Sequence, residues 1–206
     1  MILVSSGAIG LGMGKLGLMD RPKDTPGKQA CAAVGQCELM YLYDNLFSEY
    51  SITVAQLLLT KYILLEDRRK NVENALERLI SQGVIPVVNE NDTVAIDELE
   101  LEMGENDSLA AVVATIANAD LLIIMSDIDG LYDSDPRQNP DAKMIPVVRE
   151  ISEDIHAVAG GAGTKFGTGG MATKIHAVEI AYESDIDVVL MNGQHPKKLY
   201  ELFEDK

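Results

Sequence analysis

Val84 to Ala111 reads VIPVVNENDTVAIDELELEMGENDSLAA, and its two ends decide the architecture. Val84-Ile85-Pro86-Val87-Val88 is an unbroken apolar run, the pattern of a strand buried on both faces, and it stops abruptly in Asn89-Glu90-Asn91-Asp92. Further on, Glu105-Asn106-Asp107-Ser108 precedes the apolar Leu109-Ala110-Ala111-Val112-Val113-Ala114, the place where Asn, Asp and Ser cap a helix. Either cluster alone is ordinary turn or cap chemistry. Their near repetition, one after a strand and one at the start of a helix, suits two polar groups facing one ligand across the edge of a sheet.

Outward from this stretch, strands and helices alternate. Strands are expected at Ile2–Val4, Ile52–Leu59, Leu121–Met125 and Ile186–Met191, with an outlying one at Met144–Val148. Helices are expected at Gln29–Glu49 (with Ala33, Leu39 or Met40, and Leu46-Phe47 on its apolar side), Glu66–Gln82 ended by Gly83, Asn106–Asn118, Ile151–Val158, a stretch reaching about Glu183, and Pro196–Phe203. Thr93–Met103 alternates apolar and polar residues and suits an exposed hairpin. Such alternation builds an α/β fold on a mainly parallel sheet, whose ligands lie beyond the C-terminal ends of the strands.

The bulk composition narrows the function. A domain of 206 residues buries about 70% of its unfolded surface. A hydrophobic content of 47% is ordinary for a globular protein, but the net charge of −16 repels phosphate backbones and anionic lipid, so neither a nucleic acid nor a membrane is an expected partner. The two cysteines, Cys31 and Cys37, match neither a zinc pair nor a CxxC motif and are expected to be buried, reduced thiols. No apolar run is long enough to span a bilayer and no secretory pattern begins the chain, so a cytoplasmic location is expected.

Two glycine-rich stretches call for opposite readings. Gly12-Met13-Gly14-Lys15-Leu16-Gly17 fits the GxGxxG pattern, with Glu38 at a suitable distance, but Gly12 lies eight positions after Val4 and Glu38 falls in a helical pattern. The dinucleotide fingerprint needs its first glycine in the turn that ends the strand, so the match is rejected. Ser5-Ser6-Gly7 is better placed, because a small hydroxyl and a glycine directly after a strand allow a ligand close to the backbone. Gly160 to Gly170 holds six glycines in eleven residues and then opens a helix at Met171-Ala172-Thr173-Lys174. Such a loop offers N–H groups to an anion, and Lys174 adds a mobile charge one turn inside. It is not a Walker A loop, since Ile175 follows the lysine; a surface hinge is the alternative reading. His156, His176 and His195 are scattered along the chain, which argues against a metal site or a hydrolytic triad, and no GxSxG elbow is present.

Taken together, Ser5-Ser6-Gly7-Ala8-Ile9, Val87 to Asp92, Gly104 to Asp107, Ser126-Asp127 with Gly130-Leu131-Tyr132, and Gly167 to Lys174 resemble the glutamate 5-kinase branch of the amino acid kinase family, in that family's order and across essentially the whole chain. The resemblance implies a three-layer αβα sandwich around a mainly parallel sheet. It implies transfer of the ATP γ-phosphoryl group to the side-chain carboxylate of L-glutamate, the first step of proline biosynthesis, with ATP and Mg²⁺ required. It places L-glutamate on Ser6, Asp92 and Asn106, and ATP on Ser126, Asp127, Thr168, Gly169, Gly170, Met171, Ala172, Thr173 and Lys174. Asp107 corresponds to the acid that positions the catalytic lysines and Lys174 to one of those lysines; no side chain is implied as a metal ligand. Assembly as a homo-oligomer is expected.

The family pattern also begins with a strand and a loop bearing a second phosphate-binding lysine, and many members end in a PUA domain. Residues 1–206 are therefore expected to be one amino acid kinase domain, truncated at its N-terminus and without a PUA domain. Two alternatives stay open at this point: another kinase of the family, acting on acetylglutamate, aspartate or a nucleoside monophosphate, and a non-catalytic amino-acid-binding or oligomerisation fragment.

Overall fold

The computed structural model describes residues 1–94, 106–136, 138–160 and 170–204. It divides into two compact units, Met1–Leu109 and Ala110–Lys206.

In the first unit, β1 (Leu3–Val4), β2 (Val54–Leu59) and β3 (Ile85–Glu90) form a parallel sheet in the order β1-β3-β2. Leu3 and Val4 pair with Val87 and Val88, while β2 pairs along the whole of β3, from Val54 opposite Ile85 to Leu59 opposite Glu90. The apolar run of the opening stretch is therefore the central strand, and Val87 and Val88 are fully buried. Proline is normally barred from such a strand because it lacks an N–H. Pro86 is accommodated because β1 reaches only as far as Val87, so at Pro86 the sheet has a neighbour on one side alone.

Helix α1 (Ala8–Leu16), a stretch to which the sequence assigned no element, follows β1, and α2 (Thr25–Ser48) packs along it. Each glycine inside a helix costs about 1 kcal/mol relative to alanine. Here two of them permit a contact that no other residue would. A Cβ on Gly12 would collide with the carbonyl of Cys31, and one on Gly35 with the carbonyl of Ala8, so the two backbones touch. Of the rejected GxGxxG match only Gly12 takes part in this contact, and Glu38 is taken up by an ion pair with Lys15 at 2.7 Å. Helix α2 starts four residues before the expected Gln29, because Asp24 caps it by accepting from the Gly27 N–H and Pro26 sits in its first turn. Its buried side is Cys31, Ala32, Gly35, Gln36 and Leu39 rather than the side marked by Ala33 and Leu46, which are exposed. The close approach of α1 selects that face, and it leaves Cys31 buried but Cys37 exposed, against expectation. Helix α3 (Glu66–Ser81) buries Leu76 and ends before Gly83, whose positive φ turns the chain into β3.

The division between the units falls within α4 (Asn106–Ile116). In the second unit β4 (Leu121–Ser126) and β5 (Asp187–Asn192) pair in parallel, from Leu121 opposite Asp187 to Ser126 opposite Asn192. Ala111 and Ala114 of α4, and Ala177 and Ala181 of α6 (Met171–Tyr182), pack with Leu122, Ile124 and Ile186. Alanines let helices lie close to a sheet of branched residues. A smaller cluster joins α5 (Glu153–Val158) to α6 through Leu131, Ile155, Val158, Ala159, Met171 and Ile175. The strand expected at Met144–Val148 is not formed: among the described residues one antiparallel bridge, Tyr132 to Met144, is all that pairs there, and Val147 and Val148 are exposed with no described strand beside them. The final helix is a 3₁₀ segment, Pro196–Leu202. The hairpin expected at 93–103 lies outside the described residues from 95 onward. No helix among the described residues is long and apolar enough to cross a membrane.

The strand alternation and parallel pairing agree with the α/β class expected from the sequence, recorded here as one parallel sheet in each unit.

Candidate functional site

In the first unit the polar groups gather beyond the C-terminal ends of β1 and β3, the edge where parallel sheets hold ligands. The Ser5 N–H donates to the Val88 carbonyl at 2.9 Å and extends β1 by one residue. Gly7 then takes a φ of 102°, open to glycine at little cost, and turns the chain into α1. Ser6 is left exposed at that turn. From the other side of the sequence, Asn106 in the first turn of α4 reaches back to both serines. Its Nδ2 lies 2.9 Å from the Ser5 carbonyl, 2.6 Å from Ser6 Oγ and 3.1 Å from Asn89 Oδ1. The two polar clusters of the opening stretch thus meet each other and Ser6.

The direction of these bonds matters chemically. Ser6 Oγ accepts from Asn106, so its own proton is available to another acceptor, such as a carboxylate. The Asn106 amide turns its nitrogen to Ser5, Ser6 and Asn89, and its carbonyl is the end that these groups do not use. That end can accept from an ammonium. The N-terminus of α4 favours negative charge nearby. Asp92 lies just past β3 and is partly buried; burial holds its carboxyl above the ordinary value of 3.8, and Arg21 pulls it partly back. A partly desolvated carboxylate is well suited to pair with a cation. Asp107 sits in the first turn of α4, beside Asn106.

Three further residues complete this end of the sheet, and none was assigned a role from the sequence. Asn89 is 2% exposed; its Oδ1 accepts from the Glu90 N–H at 2.9 Å as well as from Asn106, and its Nδ2 donates to Gln36 Oε1 at 3.0 Å. Ser5 Oγ shares a 2.9 Å hydrogen bond with the Tyr43 hydroxyl. Gln36 and Tyr43 both come from α2, and Gln36 lies within its buried stripe. A polar residue in an apolar helix face was the readable signal. Among the described residues Gln36 Nε2 and Ser108 Oγ are buried without a hydrogen-bond partner, an arrangement that costs about 1–3 kcal/mol per group.

The second unit carries the residues assigned to the nucleotide. Ser126 and Asp127 lie at the C-terminal end of β4, with Ser126 Oγ donating to Asp127 Oδ1 at 3.2 Å and the Ser126 carbonyl accepting from the Gly193 N–H at 2.8 Å. Helix α6 ends just before the N-terminal end of β5 and packs along β4 and β5, so it runs antiparallel to them and starts at the same edge as Ser126. Gly170 precedes it and no side chain caps it. Its first-turn N–H groups, at Met171, Ala172 and Thr173, form the kind of end that binds phosphate. Thr173 Oγ1 donates to the Gly170 carbonyl at 2.9 Å, and the partly buried Lys174 follows. Thr168 and Gly169 lie outside the described residues, as does most of the glycine loop. The histidines are less scattered than the sequence suggests: His156 Nε2 and His176 Nδ1 lie 2.9 and 3.5 Å from the two oxygens of Glu179. Among the described residues no set of three His, Cys, Asp or Glu side chains could hold a metal ion.

The model of the amino acid kinase family matches residues 1–192. The glutamate 5-kinase of Clostridium perfringens (strain 13 / Type A) is 53% identical over 204 residues, 98% of this chain and 76% of that protein. The glutamate 5-kinase of Caldanaerobacter subterraneus subsp. tengcongensis is 55% identical over 194 residues, 94% of this chain but 52% of the relative's length. In three dimensions the fold is shared with the isopentenyl phosphate kinase of T. acidophilum, at a TM-score of 0.59 and 18% identity, over 100% of this chain and 79% of that one. With a family match over nearly its whole length and relatives more than half identical, the chain belongs to the amino acid kinase family, on its glutamate 5-kinase branch.

Proposed function

We propose that the chain transfers the ATP γ-phosphoryl group to the side-chain carboxylate of L-glutamate, forming L-glutamyl 5-phosphate and ADP at the entry to proline biosynthesis. The observation that carries the reading is the Asn106 amide, held by Ser5, Ser6 and Asn89 at the end of the sheet, in a chain more than half identical to glutamate 5-kinases. Ser6 donates to a carboxylate of the amino acid. Asp92 and the Asn106 carbonyl take its ammonium.

The chemistry asks little of proton transfer. A γ-carboxylate titrates near about 4.3, so at neutral pH it is already the nucleophile and needs no base. One of its oxygens bonds to the γ-phosphorus as the bond to the β,γ-bridging oxygen breaks, and ADP leaves with that oxygen. The obstacle is bringing an anion up to a polyanion, and it is met by alignment and positive charge. In this reading Ser126, Asp127 and Thr168 to Lys174 hold ATP, Lys174 neutralises charge on the transferring group, and Asp107 orients the catalytic charges. Mg²⁺ supplies further neutralisation when bound with the nucleotide. An ion that keeps its waters and rides on substrate phosphates needs no all-protein cage. The enzyme is read as a cytoplasmic homo-oligomer, supported by the apolar Tyr41, Leu46 and Tyr50 left exposed on and beside α2.

The test is ADP release with L-glutamate, acetylglutamate, aspartate and a nucleoside monophosphate in parallel, with hydroxylamine trapping of the acyl phosphate. Glutamate-dependent hydroxamate is expected. Turnover of another acceptor in preference to glutamate would reassign the substrate, and binding of glutamate and MgATP without turnover would favour a binding module.

A further inference from the structure

We infer that Gln36 is a positioning residue for the amino-acid pocket: by accepting from the Asn89 amide it locks, together with the Glu90 N–H, the way Asn89 faces, and through Asn89 it steadies the orientation of Asn106. The identity of the ligand rests on the function proposed above. The relay itself lies wholly within Met1–Leu109.

The argument is one of donors and acceptors. An asparagine amide has a nitrogen that only donates and an oxygen that only accepts, and rotating it by half a turn exchanges them. Asn89 has three neighbours. Two of them, the Glu90 N–H at 2.9 Å and Asn106 Nδ2 at 3.1 Å, are donors and require the oxygen. The third, Gln36 Oε1 at 3.0 Å, is an acceptor and requires the nitrogen. Reversing Asn89 would set donor against donor on one side and acceptor against acceptor on the other, at a place where Asn89 is 2% and Gln36 8% exposed. The Glu90 N–H already favours this orientation, and Gln36, by accepting at the other end of the amide, adds to the cost of reversing it.

The consequence reaches the ligand through Asn106. With Asn89 Oδ1 held toward it, Asn106 presents its nitrogen inward to Asn89, Ser5 and Ser6, which leaves its carbonyl for an ammonium and the Ser6 proton for a carboxylate. Those are the polarities an amino acid needs. A reversed Asn106 would offer a donor to the ammonium. Gln36 does this while its own Nε2 is buried without a partner among the described residues, a cost that packing alone would not require of a residue between Gly35 and Leu39. An apolar side chain of that size would fill the space without leaving a donor unpaired.

Two substitutions separate orientation from packing. Gln36→Met keeps the volume and removes the acceptor; Gln36→Glu keeps an acceptor in place. Hydrogen exchange of the Asn106 side-chain amide, followed by ¹⁵N NMR without ligand, reads the relay directly. In Gln36→Met that exchange is expected to accelerate about tenfold, and the KM for glutamate to rise about tenfold, the scale of one net hydrogen bond, with kcat and the KM for ATP within about twofold of the parent. Gln36→Glu is expected to restore both readouts. Unchanged exchange, unchanged glutamate KM, or a Glu variant as impaired as the Met variant would each overturn the inference. Should the Met variant fail to fold, the Glu variant decides: parent-like glutamate KM supports the acceptor role and a tenfold rise overturns it. A parent protein that turns over a different acceptor would refute the proposed substrate, and the exchange experiment would still decide the role of Gln36.

Discussion

Replacing Gly35 by alanine probes the contact on which the amino-acid end of the sheet is built. A Cβ there would overlap the Ala8 carbonyl oxygen and lie 2.5 Å from the Gly12 nitrogen and 2.7 Å from the Ala8 carbonyl carbon. Ordinary contacts of this kind need about 3.5 Å, so α1 and α2 have to part by about 1 Å or more. The obstacle is backbone, which cannot rotate away as a side chain can. Overpacking of this sort costs about 1–3 kcal/mol, and a helix-to-helix backbone clash belongs at or above the upper end. Alanine returns about 1 kcal/mol through its higher helix propensity, leaving a net loss of about 2 kcal/mol. In a chain of this length that lowers Tm by about 4–8 °C. Gly14→Ala is the matched control: it lies in α1 with nothing within 4 Å of its added Cβ, so it should stabilise by about 1 kcal/mol. Thermal melts followed by far-UV circular dichroism would read the two variants with opposite sign. A second readout is kinetic, since α1 follows directly on Ser5-Ser6-Gly7: Gly35→Ala should raise the KM for glutamate and Gly14→Ala should not. Melts that move together, in either direction, would refute the close approach of α1 and α2.

Three other outcomes follow from the sites. Lys174→Ala should lower kcat by about 10² to 10³, the scale for losing one transition-state donor, and near-normal turnover in steady-state assays would remove it from the mechanism. Asp92→Asn should weaken glutamate binding by calorimetry. Because burial raises the Asp92 carboxyl, its contribution to stability is present below 3.8 and is lost as pH rises through the folded value; the Asn variant should therefore melt no lower than the parent at pH 7 and lose the parent's gain at acid pH. Asn106→Asp places acceptors against the Ser5 carbonyl and Asn89 Oδ1, so glutamate KM should rise about 10- to 100-fold with a loss of about 1–3 kcal/mol of stability in urea titrations.

Strands and helices were legible because their signals are local. Val84 to Val88, Leu121 to Met125 and Ile186 to Met191 are apolar runs closed by polar residues, and each became a parallel strand within two residues of its expected bounds. Met144 to Val148 has a similar composition and formed none, because a strand needs a partner and composition does not say whether one is near. Helix α1 was missed for the converse reason: four glycines between Gly10 and Gly17 argue against a helix locally, and only the neighbouring α2 makes the small size of one of them, Gly12, an advantage.

For the site, the sequence by itself determined which residue types stand at the ends of strands and the starts of helices: Ser6 after β1, Asn89 to Asp92 after the buried run, Asn106 and Asp107 at a cap, and Ser126 and Asp127 after β4. That much depends on periodicity and capping, which act over a few residues. The tertiary structure decided direction. It turned the buried face of α2 from Ala33 to Ala32, Gly35 and Gln36, put Cys37 outside, and carried Gln36 across 53 positions of sequence to Asn89. Whether Asn106 offers its nitrogen or its oxygen to a ligand depends on those distant acceptors, and a hydrogen bond between residues 100 apart leaves no periodic trace in the chain.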